Sequence, residues 1–209
     1  MIDFSKLLSL VTLLGLLTVS CCMSARVGSG KTHKGSLTTV NTGITIGNGS
    51  TVTGTSRTVN GSITVGNDSE VGELHTVNGR IQIGSNTSVN GDASTINGWI
   101  RCKSGAQIYG TLSTINGAIT LTETVVTRNL KTINGNITLA QKSKVQGDIV
   151  IRRRSDETQS PKKPLVIKLS DSSVVEGDII NNDDRYQVHV IIADDSKVLG
   201  EIKNAEVRR

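Results

Sequence analysis

The sequence predicts an all-β chain, a single-stranded parallel β-helix wound as a triangular solenoid of 18–19 residues per coil. Three observations predict it. A tetrapeptide returns as Thr58-Val59-Asn60-Gly61, Thr76-Val77-Asn78-Gly79, Thr95-Ile96-Asn97-Gly98, Thr114-Ile115-Asn116-Gly117 and Thr132-Ile133-Asn134-Gly135. A first copy, Thr39-Val40-Asn41, carries Thr42 in the Gly place, and successive Asn residues from Asn41 onward are 19, 18, 19, 19 and 18 apart. Apolar residues also recur every six positions: Val59, Val65, Val71 and Val77, then Ile83 and Val89, then Ile96, Cys102 and Ile108. Three short strands per coil, each turning its central side chain inward, describe a triangle. Finally, the aromatic residues are only Phe4, Trp99, Tyr109 and Tyr186, and both prolines, Pro161 and Pro164, share one short segment. That composition suits a thin aliphatic core and strands free of proline.

Residues 1–20 read as an export signal. Lys6 precedes an apolar run from Leu7 to Val19, 13 residues long, too short for a comfortable membrane span. Cys21 and Cys22 follow at once, and small residues leading into a cysteine resemble a bacterial lipobox. Either cysteine can be the lipidated one: Ser20 precedes Cys21, while Val19 and Ser20 suit Cys22. No Asp follows either cysteine, which by the same resemblance implies sorting to the outer membrane, facing the periplasm. Residues 21–37 read as a flexible linker rich in Gly, Ser and Lys. Within it Ala25 to Thr32, ARVGSGKT, imitates a phosphate-binding loop. That loop requires a following helix, so no nucleotide site is expected.

The β-helix is expected over residues 38–205. In each copy of the tetrapeptide Val or Ile is expected to point inward and Gly to supply positive φ at a turn. The Asn residues Asn41, Asn60, Asn78, Asn97, Asn116 and Asn134 are expected to stack as an amide ladder. Thr and Asn would then form an outward Thr-x-Asn column. Further inward positions are Ile44, Ile63, Ile81, Ile100, Ile119 and Ile137. Coils of 18 and 19 residues are expected to differ by one residue at a corner. Later coils share Val-x-Gly-acid-Ile, as in Val145 to Ile149, Val175 to Ile179 and Val198 to Ile202. Residues 152–164 read as an extruded loop, and 206–209 as a charged tail that blunts the end of the solenoid.

Few residues suggest chemistry. His33, His75 and His189 lack a second ligand at metal spacing, and Cys102 occupies a core position, so no catalytic residue, metal or cofactor is expected. The net charge of +5 gathers in Arg152-Arg153-Arg154, Lys162-Lys163 and Arg208-Arg209, without interleaved aromatics, so a nucleic-acid groove is not expected. Trp99 and Arg101 should share an outward face, with Tyr109 outward on another side. These three are the candidate interaction residues, for an anionic glycan or an envelope protein.

With its coil period, its Val-x-Gly-Asp-Ile corners and its lack of aromatics, the chain resembles the bactofilin-type polymer-forming proteins over residues 38–205. It is similar also to exported bacterial proteins with Thr-Val-Asn-Gly repeats. The resemblance implies a right-handed coil and end-to-end self-assembly without nucleotide. It departs in one respect: bactofilins act in the cytoplasm or at the inner face of the membrane, whereas this chain opens on an export signal. The resulting expectation is a non-enzymatic, lipid-anchored scaffold of the cell envelope. The alternatives are a self-assembling filament protein, and an envelope polysaccharide binder or enzyme using the Trp99/Arg101 face.

Overall fold

The computed structural model describes residues 25–153, 163–185 and 187–208. Every strand in it pairs in parallel with its equivalents one coil away, forming three sheets. The first sheet, face 1, defines the coils. Its strands are Ala25–Val27, Ile44–Ile46, Ile63–Val65, Ile81–Ile83, Ile100–Cys102, Ile119–Thr122, Ile137–Ala140, Leu165–Leu169 and Val188–Ile192, opening coils 1 to 9, and then Glu206–Arg208. Face 2 runs from Thr32–His33 to Lys197–Val198, and face 3 from Leu37–Thr39 to Ile202–Lys203. The chain is therefore an all-β solenoid, as its periods predict.

The core is a stack of aliphatic rungs. Ile44, Ile63, Ile81, Ile100, Ile119 and Ile137 are each at most 1% exposed, and Val65, Ile83, Cys102 and Leu121 stack beside them. Val52, Val71, Val89, Ile108, Val126 and Val145 fill the interior from face 2. At roughly 25 cal/mol per Å² of apolar surface, this continuous column is the main driving force for folding. The 18-residue spacings arise where a corner is one residue shorter, between Val71 and Leu74 in coil 3 and between Leu121 and Val126 in coil 6.

The tetrapeptide is built differently from its expected form. Thr58, Thr76, Thr95, Thr114 and Thr132 are buried, at most 4% exposed, while Val59, Val77, Ile96, Ile115 and Ile133 are half-exposed on face 3. The reason is strand alternation. Leu74 and Thr76 both point inward in Leu74–Asn78, so Val77 between Thr76 and Asn78 must point out. The expected outward Thr-x-Asn column is thereby replaced by an outward aliphatic one. The buried hydroxyls are satisfied by the corner below: Thr76 Oγ1 donates to Gly61 O at 2.8 Å and Thr95 Oγ1 to Gly79 O at 2.8 Å. Thr132 Oγ1 has no partner among the described residues. Thr95→Val should therefore cost about 1 kcal/mol, whereas Thr132→Val should be neutral or stabilising, since a net hydrogen bond contributes about that much and an orphaned buried hydroxyl is a cost. Urea denaturation of the two variants reads the difference.

Positive φ sits largely elsewhere than expected, Gly117 being the one tetrapeptide glycine that has it. Apart from Gly35 and Asn204, it otherwise occurs at the face 1–face 2 corner of each coil: Gly30, Gly49, Asp68, Asn86, Gly105, Glu123, Gln141 with Lys142, Asp171 with Ser172, and Asp194. Just after these residues lies a ladder of buried hydroxyls that accompanies Ser/Thr-x-Val in the sequence. Ser50, Ser69 and Thr87 donate to Gly28, Gly47 and Gly66 carbonyls at 2.8, 2.9 and 2.7 Å.

Both ends differ from their expected boundaries. Residues 25–37, read as linker, form coil 1: Ala25 pairs with Ile44, Thr32 with Thr51 and Leu37 with Ser56. The Gly and Ser that suggested a linker occupy its corners, where a solenoid has the same composition. The expected charged tail forms a strand instead: Glu206 to Arg208 pair with His189 to Ile191. The segment 152–164 leaves at the face 3–face 1 corner, between Ile149–Ile151 and Leu165–Leu169, and residues 154–162 of it lie outside the described residues. So do the export signal, Cys21 and Cys22.

The Val-x-Gly-acid-Ile corner is a ladder of its own. Asn129, Asp148 and Asp178 each present Oδ1 to the backbone N–H of the equivalent residue one coil on, Asp148, Asp178 and Glu201, at 2.9 Å. The Glu201 N–H, then Lys203, hold the Asp178 carboxyl below its usual range, while Asp178 and then Glu201 raise the Lys203 ammonium. The carboxylate contributes fully above its unfolded value of about 3.9 and is lost as pH falls through its lower folded value. The ammonium contributes fully below about 10.4 and is lost as pH rises past its folded value. The last coil should thus be closed from about pH 4 to 10 and loosen in acid. The Glu201 amide resonance should move with the Asp178 titration below pH 4, a movement that Asp178→Asn abolishes.

Candidate functional site

Two features stand out from the repeat. The first is the Asn ladder at the face 3–face 1 corner. Asn60 Nδ2 donates to Asn41 Oδ1 at 3.1 Å, and the chain of amides continues through Asn78, Asn97, Asn116 and Asn134 at 2.8, 2.9, 2.9 and 3.5 Å. An amide carries both donor and acceptor, so each Asn serves two neighbours. This ladder ties coils together and presents no group poised for chemistry.

The second is the indole of Trp99, the first residue past the Asn97-Gly98 corner. Trp99 shares a column with Ser62, Arg80, Ala118 and Asn136, so Arg80 lies one coil below it. Arg101 follows two residues later, in the strand Ile100–Cys102. The Arg80 guanidinium carbon lies 5.4 Å from the centroid of the Trp99 ring, and that of Arg101 4.8 Å. Trp99 is half-buried between these exposed side chains, and Lys103 is exposed two residues further on. Among the described residues, neither arginine nor Lys103 has a carboxylate within ion-pair distance.

Of the three residues singled out from sequence, the fold brings Trp99 and Arg101 together. Tyr109 stands apart, 48% exposed beside face 2, its hydroxyl donating to Gln107 Oε1 at 2.8 Å. Arg80 went unremarked as a site residue, although its place in the Trp99 column was readable from the period. Cys102 is buried and its thiol is pushed up to about 12 by burial, which removes it as a nucleophile. His75 is held at the surface by Ser94 and Glu73. Among the described residues no three His, Cys, Asp or Glu side chains gather as a metal site.

The carboxyl-terminal end forms a third feature. Leu199 is 63% and Val207 43% exposed there, around a hollow lined also by Ile192, Val198 and Ile202. No protein-family model, curated protein or solved structure matches the chain.

Proposed function

We propose that this chain is a non-enzymatic, lipid-anchored protein of the bacterial cell envelope whose solenoid serves as a structural or interaction scaffold. The observation that carries the scaffold reading is the continuity of its ladders. Amide, hydroxyl and Asp–amide bonds link successive coils at each corner, so that three flat faces run side by side along the stack. Nine coils at about 4.8 Å make a rod roughly 40 Å tall. Anchoring rests on the export signal and on Cys21 or Cys22, and places the rod at the outer membrane facing the periplasm. Mass spectrometry of the mature amino terminus tests this: a lipid on one of these cysteines is expected, and an unmodified or uncleaved terminus sinks it. Negative-stain microscopy should show short straight rods.

A second reading, self-association through coil ends, is favoured by the exposed Leu199 and Val207. It predicts rods longer than one molecule and their loss in Leu199→Glu. Single-molecule rods at all concentrations argue against it.

A further inference from the structure

The Trp99 cluster carries positive charge that no carboxylate among the described residues pairs. Stacking on an indole engages the flat face of a guanidinium and leaves its N–H edge for a ligand. The Arg80 and Arg101 guanidinium carbons both lie over the one ring, at 5.4 and 4.8 Å from its centroid, so two donor forks share one indole, and no carboxylate among the described residues lies within ion-pair distance of either. Such forks suit a bidentate anion.

The rest of face 1 suits the same ligand. The outward column through Arg101 runs Arg26, Thr45, Thr64, Gln82, Arg101, Thr120, Thr138 and Lys168, one residue per coil. All eight are hydrogen-bond donors. The face 1 strands of coils 1 to 9 contain no Asp or Glu. Along this column Arg26 lies four coils from Arg101 and Lys168 three, about 19 and 14 Å at about 4.8 Å per coil. Cations set along a column of hydroxyl and amide donors match a polymer whose sugar units carry both carboxylates and hydroxyls. The Trp99 indole lies half-buried among guanidiniums, and hence offers no open platform for stacking bases.

We propose that face 1 binds an acidic polysaccharide laid along the solenoid axis, with a sugar carboxylate held by Arg80 and Arg101 and sugar hydroxyls bound by the Thr and Gln column. This rests on the reading of the solenoid as an interaction surface, and names its partner.

The test titrates the mature chain with polygalacturonate, with dextran as the uncharged control. Polygalacturonate should bind, dextran should not, and added salt should weaken the complex. Arg80→Gln with Arg101→Gln should lower the affinity about a hundredfold, since each charge-assisted contact is worth about tenfold. Trp99→Leu should lower it by about tenfold through loss of the stacking platform. Arg57→Gln on face 3 should change nothing. All these side chains point outward, so an unchanged thermal midpoint verifies folding. Wild-type affinity in the double arginine variant overturns the proposal, as does equal binding of dextran. Capture of phosphatidylglycerol vesicles or polyphosphate in preference to polygalacturonate also overturns it. Rods that are intact in the microscope yet bind no polygalacturonate overturn this inference while leaving the scaffold reading standing.

Discussion

Gly98→Ala should break the solenoid in its middle, at a cost of about 3 kcal/mol or more. A Cβ at this position would overlap the carbonyl oxygen of Gly79 directly beneath it. The same overlap awaits Gly79, Gly117 and Gly135, each stacked on the glycine of the preceding coil. The obstacle is backbone, fixed by strand pairing on both sides, and no side chain can swing away to relieve it. The coils must move apart, which stretches the Asn97 to Asn78 amide bond and the rungs on face 3. Each coil of a solenoid is supported only by its neighbours, so separation at one corner uncouples the two halves.

The control is a glycine of the other kind. Gly49 has φ +62 and nothing within 4 Å of a built Cβ, so Gly49→Ala should cost only the 1–2 kcal/mol of a left-handed alanine. Gly49→Asn should be nearly neutral, because Asn86 already holds φ 53 at the equivalent corner. Urea denaturation of all three variants measures the order. A Gly98→Ala protein as stable as Gly49→Ala would mean that the corner dilates freely, and the close-stacking account would fail.

This contrast shows what a repeat reveals and what it conceals. The period and the inward Ile44 to Ile137 column were legible because repetition averages away local exceptions. The geometry of the amide ladder follows from the same repetition, since a fixed position one strand spacing apart must stack. The direction of the tetrapeptide was not legible, because Thr and Val are nearly isosteric and both suit strands. Strand alternation sets the polar member inward, and the hydroxyl bond from Thr95 to Gly79 satisfies it there. Gly98 could not be told from Gly49 by sequence, since one is required by its neighbour's backbone and the other by its own φ. Coil 1 was concealed for a similar reason: Gly28, Ser29, Gly30 and Gly35 are corner residues, and a corner has the composition of a linker. The Trp99 cluster was half legible. Arg101 was visible two residues away, while Arg80 became a partner only when the period was converted into contact across coils.

Asp183→Ala should loosen the carboxyl-terminal coils, at a cost of about 3 kcal/mol. The Asp183 side chain is fully buried, and its carboxylate receives Arg185 Nε at 2.8 Å and Nη2 at 2.7 Å. Its own N–H donates to Asn181 Oδ1 at 3.0 Å, and Asn181 exchanges hydrogen bonds with Asn204 at 3.0 and 3.1 Å. This network closes the corner between coils 8 and 9 and fastens the segment that leads into the last strand, Glu206–Arg208. Removing the carboxylate takes from the partly buried guanidinium its bidentate acceptor, and breaking such a buried pair costs more than the pair contributes over an apolar replacement. Asp183→Ala with Arg185→Ala should therefore cost less than the sum of the two single variants. Because the corner lies at one end, the loss should be local: limited proteolysis should cut the variant after coil 8 while coils 2 to 7 remain resistant. Wild-type resistance in the single variant, or a double variant worse than both singles combined, would show that the pair does not close this corner.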